Sequence, residues 1–116
     1  MNYKDLNCWK FAIELVNSVY ELTNKFPDYE KYALRTQINR AVVSISSNIA
    51  EGSARKNDKE FIQFLYIALG SASELETQLI IAQNLKYISS DFDIYDKIVE
   101  VKKLILGLIK YLSNKG

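Results

Sequence analysis

The chain has no histidine, one cysteine (Cys8), one proline (Pro27) and four glycines in 116 residues. Without histidine and with a single thiol, it lacks the usual zinc ligands, the Ser-His and Cys-His catalytic pairs and any intrachain disulfide. So little glycine and proline leaves no room for Gly-rich phosphate loops, long linkers or low-complexity tracts. No Walker motif, dinucleotide fingerprint or nucleophile elbow is present. Charge of one sign is scarce as well. Fifteen basic and fourteen acidic residues give a net charge of +1, so overall electrostatics drives the chain toward neither nucleic acid nor a membrane. No basic region followed by an apolar run opens the sequence, and no stretch approaches the roughly 20 apolar residues needed to span a bilayer. The expectation is a soluble, cytoplasmic protein with no membrane partner.

What remains is rich in material for a core. Hydrophobic residues make up 48% and aromatics 12% of the chain, ample for one domain over residues 1–116. No internal repeat is evident. The apolar residues recur every three or four positions, which is the period of a helix. In the first segment Leu6, Trp9, Ile13, Val16 and Tyr20 form the main stripe, with Phe11, Leu15, Val19 and Leu22 beside it, predicting a helix from about Asp5 to Lys25. Phe26-Pro27 interrupts the run, because the residue before proline is forced out of the helical region.

The second helix carries the stretch LRTQINRAVVSISSNIAEGSARK, Leu34 to Lys56. Leu34, Ile38, Ala41, Val42, Ile45 and Ile49 fall within one arc and face a core. Gly52 and Ser53 mark its weakening or end, and Asn57 is a candidate N-cap with Glu60 three residues on. In the third helix Phe61, Leu65, Ala68, Ala72, Leu75, Leu79 and Ala82 alternate large and small on one narrow face. Ser89, Ser90 and Asp91 are candidates to end that helix and cap a fourth, whose core line is Ile94, Ile98, Val101, Ile105, Leu108 and Leu112. Short connections between long helices favour an all-α, antiparallel up-down-up-down four-helix bundle.

Two features go beyond a core pattern. Helices one and three carry apolar residues nearly all round. On helix three these include Phe64, Ile67, Ile81 and Leu85 on one side, and Ile62, Tyr66, Leu69 and Ile80 on another. A single four-helix domain cannot cover them all, so the surplus predicts a homo-oligomer. The second feature is the arc opposite the core stripe of helix two, which carries Arg40, Ser44, Ser47 and Glu51, with Gln37, Asn48 and Arg55 at its edge. Serine and asparagine weaken a helix interior, so a face meant only for water would favour Lys and Glu. Small hydroxyls instead permit close approach of another helix. A packed polar seam is one reading, and a solvated stripe the other. Ser71, Glu74 and Gln78 lie at helical spacing on helix three and could meet it. Arg40 with Glu51 and Glu74 would then form a buried ion-pair set that fixes register, or else separate surface salt bridges contributing roughly 0 to 1 kcal/mol each.

Chemistry is harder to find. Glu51, Glu74 and Glu76 could be imagined as paired carboxylates, but di-iron bundles need Glu-x-x-His on two helices. The expectation is no catalytic residues, no metal, no cofactor and no enzyme activity. A local basic patch of Arg55, Lys56 and Lys59 in the turn after helix two is a candidate nucleic-acid surface that assembly would multiply. Solvated loop charge is the alternative.

Over nearly its whole length the chain resembles the bacterial four-helix-bundle proteins associated with intervening sequences in 23S ribosomal RNA genes, also labelled S23 ribosomal proteins. The resemblance rests on FPDYEKYALRTQINRAVVSISSNIAEGSAR and EFIQFLYIALGSASELETQLIIAQNLKYI. Asn48 to Gly52 (NIAEG) and Gly70 to Glu76 (GSASELE) are its most specific parts. Ser46 departs from it, since many members have proline there. The resemblance implies a bundle that assembles into a homopentamer and has no established catalytic residues. Related proteins serve as accessory factors in diversity-generating retroelements, which implies as an alternative role a nucleic-acid-binding partner of a reverse transcriptase.

Overall fold

The apolar periodicity becomes four helices in the computed structural model, which describes residues 2–30, 32–89 and 92–115. These are α1 (Asn7–Thr23), α2 (Leu34–Ser53), α3 (Asp58–Asn84) and α4 (Phe92–Asn114), with short 3-10 turns at Tyr3–Asp5 and Asp28–Glu30. No strand occurs among the described residues. α1 packs on α2 and α4, and α3 packs on the same two helices, so the four form a ring about one core. Cross-helix contacts give their directions. Thr23 at the end of α1 meets Asn39 near the start of α2, and Gly52 at the end of α2 meets Phe61 at the start of α3. Lys102 on α4 reaches Glu76 while Tyr95 reaches Gln83, and Lys97 early in α4 donates to Ser18 late in α1. Every neighbouring pair is therefore antiparallel, and the bundle runs up-down-up-down.

The core stripe of α3 is buried throughout, from Phe61 to Ala82, as is that of α2 from Ile38 to Ile49. α4 buries Ile94, Ile98, Val101, Ile105, Ile109 and Leu112. Leu108, expected in that line, is only partly covered, and Ile109 takes its place. α1 requires a larger correction. Its buried line is Cys8, Ala12, Leu15, Val19 and Thr23, whereas Trp9, Ile13 and Val16 sit at its edge and Tyr20 is exposed. The two smallest members, Cys8 and Ala12, let the α1 backbone come close to its neighbours, and bulk alone had pointed to the wrong flank.

Cys8 is 3% exposed, and burial pushes its thiol up from the ordinary 9.0 to about 11. Between those values the unfolded chain has lost this proton and the folded chain keeps it. The thiol's contribution to stability is thus intact below about 9 and is lost as pH rises through about 11. At neutral pH the native protein should react with a disulfide reagent such as DTNB only as fast as it unfolds. Prompt stoichiometric labelling would contradict that burial.

The connections are tied down by specific groups. Glu30 serves two elements at once: one carboxylate oxygen accepts the Leu34 N–H at 3.1 Å and caps α2, and the other accepts the Tyr87 hydroxyl at 2.9 Å. Hydrogen bonds with Tyr29 and Glu30 hold that hydroxyl protonated well above the usual tyrosine range, and Tyr87 also packs against the Phe26 ring. Asn57 caps α3 as expected, its side chain accepting the Glu60 N–H at 2.9 Å.

α3 ends earlier than its serines suggested. Lys86 takes a left-handed conformation, φ 64°, while the Tyr87 N–H donates to Ala82 O and the Lys86 N–H to Gln83 O. This is a Schellman ending with lysine where glycine is usual. Ser90 and Asp91 lie outside the described residues. Lys86→Gly should raise unfolding stability by about 0.5 to 1 kcal/mol, because relief of the left-handed strain exceeds the added freedom of the unfolded chain. Urea unfolding measures it, and an unchanged midpoint would refute the strain.

Candidate assembly surface on α2 and α3

α2 and α3 pack closely where small side chains lie between them. Gly52 is buried in the last turn of α2, which ends at Ser53 where the sequence placed its end, but the glycine does not take the left-handed backbone expected of a helix-ending residue. An added Cβ would stand 2.6 Å from Phe64 Cβ and 2.9 Å from Phe61 Cδ1. The glycine is there to let α3 pass.

Two turns further along, Ser44 Oγ and Ser71 Oγ lie 2.9 Å apart. Asn48 donates its amide to Ser44 O at 2.8 Å and to Ser44 Oγ at 2.9 Å. Ser44, Asn48 and Ser71 are half-buried and join the two helices. Gln78 is partly buried, and its Oε1 is shut off from solvent with no hydrogen-bond partner among the described residues. An orphaned buried acceptor of this kind costs about 1 to 3 kcal/mol. Ser47 is exposed on the outer side of α2. Ser46 is buried beside the seam and donates back to Val43 O at 3.0 Å, with α2 continuous through the position.

The charged members are not gathered within one chain. Glu51 pairs with Arg55 at 3.0 Å, with both side chains about half exposed, a surface contact contributing roughly 0 to 1 kcal/mol. Arg40 and Glu74 are exposed, and neither forms an ion pair among the described residues. They flank the serine contact on the same side. Arg40 is one turn before Ser44, Glu74 is about one turn after Ser71, and the helices are antiparallel, so both lie in the same direction along the seam. Beside Arg40, an open groove of about 460 Å³ runs between α1 and α2, lined also by Tyr20, Thr36, Asn39, Val43 and Ser44.

Outward from the seam, α3 remains apolar. Tyr66, Ile67, Ile80, Ile81 and Leu85 are 43% to 56% exposed. Ile67, Gly70, Glu74, Thr77 and Ile81 follow one another at three- and four-residue steps along the side of α3 opposite the core, all exposed.

The basic turn is less free than its sequence suggested. Arg55, besides pairing with Glu51, stacks 4.6 Å over the Phe64 ring. Lys56 and Lys59 are exposed, but Asp58, which pairs with Lys115 at 3.3 Å, and Glu60 interleave with them. Among the described residues no cluster of His, Cys, Asp or Glu could hold a metal ion, and no helix is long and apolar enough to cross a membrane.

Sequence reasoning missed the links between distant segments. Thr23, fully buried, donates to Asn39 Oδ1 at 2.9 Å, and Glu30 meets Tyr87 across 57 positions. Thr23 lies four residues beyond Val19, a helical step that marked it as a core position. The Glu30–Tyr87 link left no periodic trace.

A family model described as 23S rRNA-intervening sequence protein matches residues 4–107. The chain belongs to that family. The fold is also similar to a crystal structure of a protein with unknown function from the S23 ribosomal protein family of Bacteroides thetaiotaomicron VPI-5482. That similarity has a TM-score of 0.81 at 27% identity, covering 89% of this chain and 98% of that one. No curated protein matches the chain. Both segments that carry the resemblance reach the α2–α3 contact: NIAEG ends in the glycine that admits Phe64, and GSASELE contains Ser71.

Proposed function

We propose that this family member is a non-enzymatic, self-assembling bundle acting as a scaffold or binding module in the cytoplasm, with copies meeting on the outer α2–α3 face. One observation carries the reading: Ile67, Ile80, Ile81 and Leu85 stand 43% to 52% exposed on a single helix. A face meant for water would carry lysine and glutamate there. The polar seam of Arg40, Ser44, Ser47, Asn48, Glu51, Ser71, Glu74 and Gln78 gives the same face direction and register. The family resemblance supports a count of five. Ile67→Glu/Ile81→Glu is the test, because both positions are solvated in one chain and glutamate is a good helix former. The double variant should keep its helical circular dichroism and sediment as a single chain while the parent sediments as a multiple. Equal sedimentation of the two would overturn the reading.

A second reading, an RNA-binding accessory that could partner a reverse transcriptase, draws support from Lys56 before α3 and Lys59 in its first turn, both exposed and repeated around an assembly. The engagement of Arg55 and the interleaved acids weaken it. Arg55→Ala/Lys56→Ala/Lys59→Ala should then flatten the salt dependence of binding to structured RNA. An unchanged slope excludes this turn as the contact.

A further inference from the structure

Arg40 and Glu74 are an exposed cation and anion beside one seam, one turn from the Ser44–Ser71 contact, and neither forms an ion pair among the described residues. Between Ile67 and Ile81 the outward line of α3 also holds Gly70, where an added Cβ would meet nothing within 4 Å. Glycine in an exposed helix interior is unfavourable relative to alanine, and no neighbour among the described residues accounts for it. A second helix approaching closely at that point does, since only a residue without a side chain lets two backbones come so near. The three- and four-residue spacing of Ile67, Gly70, Glu74, Thr77 and Ile81 is that of a helix seam, yet every member faces outward.

We infer that the occupant of this face is a second copy of the chain, with Gly70 at the closest helix approach and Arg40 of one copy paired with Glu74 of the next. The inference rests on self-assembly as proposed above and adds the contact that selects the partner. The face carries its cation on α2 and its anion on α3, so the α2 edge of one copy complements the α3 edge of the next without any further component. Once covered, the pair is shielded from water and salt and discriminates against misaligned copies.

The test compares the parent with Arg40→Glu, Glu74→Arg, the double exchange, and an equimolar mixture of the two single variants, read by sedimentation velocity and native mass spectrometry. Both side chains are exposed, so under monomeric conditions each single variant should melt like the parent, while associating at least about tenfold more weakly, the change produced by a 1.4 kcal/mol loss. The double exchange should recover association, and the mixture should recover it at every interface that joins one variant to the other, because each then offers the charge the other lacks, with at least one like-charged interface left in a ring of five. Recovery by the double exchange without recovery in the mixture would place the pair within one chain and overturn the inference. So would single variants that associate like the parent. A monomeric parent would instead remove self-assembly itself, a separate and recognisable outcome.

Glycine supplies a second readout. Gly70→Ala should raise the melting temperature under monomeric conditions yet weaken association, while Gly107→Ala, equally open and flanked one turn away on each side by exposed Lys103 and Lys110, should raise the melting temperature alone. Unweakened association in Gly70→Ala would show that no backbone approaches there.

Discussion

Gly52→Ala will destabilise the bundle by about 2 kcal/mol, although alanine is the better helix former. Replacing a helical glycine ordinarily gains about 1 kcal/mol. Here the new methyl would sit 2.6 Å from Phe64 Cβ and 2.9 Å from Phe61 Cδ1. A Cβ cannot swing aside as a side-chain tip can, so α2 and α3 must separate. Overpacking of this kind costs about 1 to 3 kcal/mol or more, and separation would also stretch the Ser44–Ser71 contact. Urea or thermal unfolding gives the sign directly. An increase in stability would mean that the two helices are not in contact at this glycine.

Leu75→Ala should cost more, about 3 to 4 kcal/mol, toward the upper part of the range for leucine truncation in a core. Leu75 is fully buried at the middle of α3, and its nearest core neighbours on the same helix, Ala72 and Leu79, are buried too. Alanines at 68, 72 and 82 have no flexible atoms to fill the space left, so the cavity would persist. For a domain of this size that is a large part of the total stability of about 5 to 15 kcal/mol. A loss below about 1 kcal/mol would show that the core collapses around the gap.

The fold was legible because its signal is repetitive. Buried positions on α2 and α3 recur at helical spacing with few exceptions, and the Asn57 cap has a local grammar of its own. α1 was legible only in part, because Cys8 and Ala12 bury themselves by being small while periodicity weighed the bulkier Trp9, Ile13 and Val16. Gly52 illustrates a different limit. Its position at the end of a helix suggested a turn, and only its neighbours on α3 reveal a contact. The candidate surface was partly visible in the choice of serine over lysine at 44 and 71, since that choice needs a close neighbour. Which charges meet was not visible, because Arg40 and Glu74 remain apart in one chain and Glu51 is taken by Arg55, four residues away.

The account stands on these helices presenting more apolar surface than one chain can cover. The most direct measurement is the light-scattering mass of the unmodified protein across the micromolar range. A mass several times 13.4 kDa, falling toward that value in Ile67→Glu/Ile81→Glu, is the predicted result. A constant 13.4 kDa for the unmodified protein would contradict it.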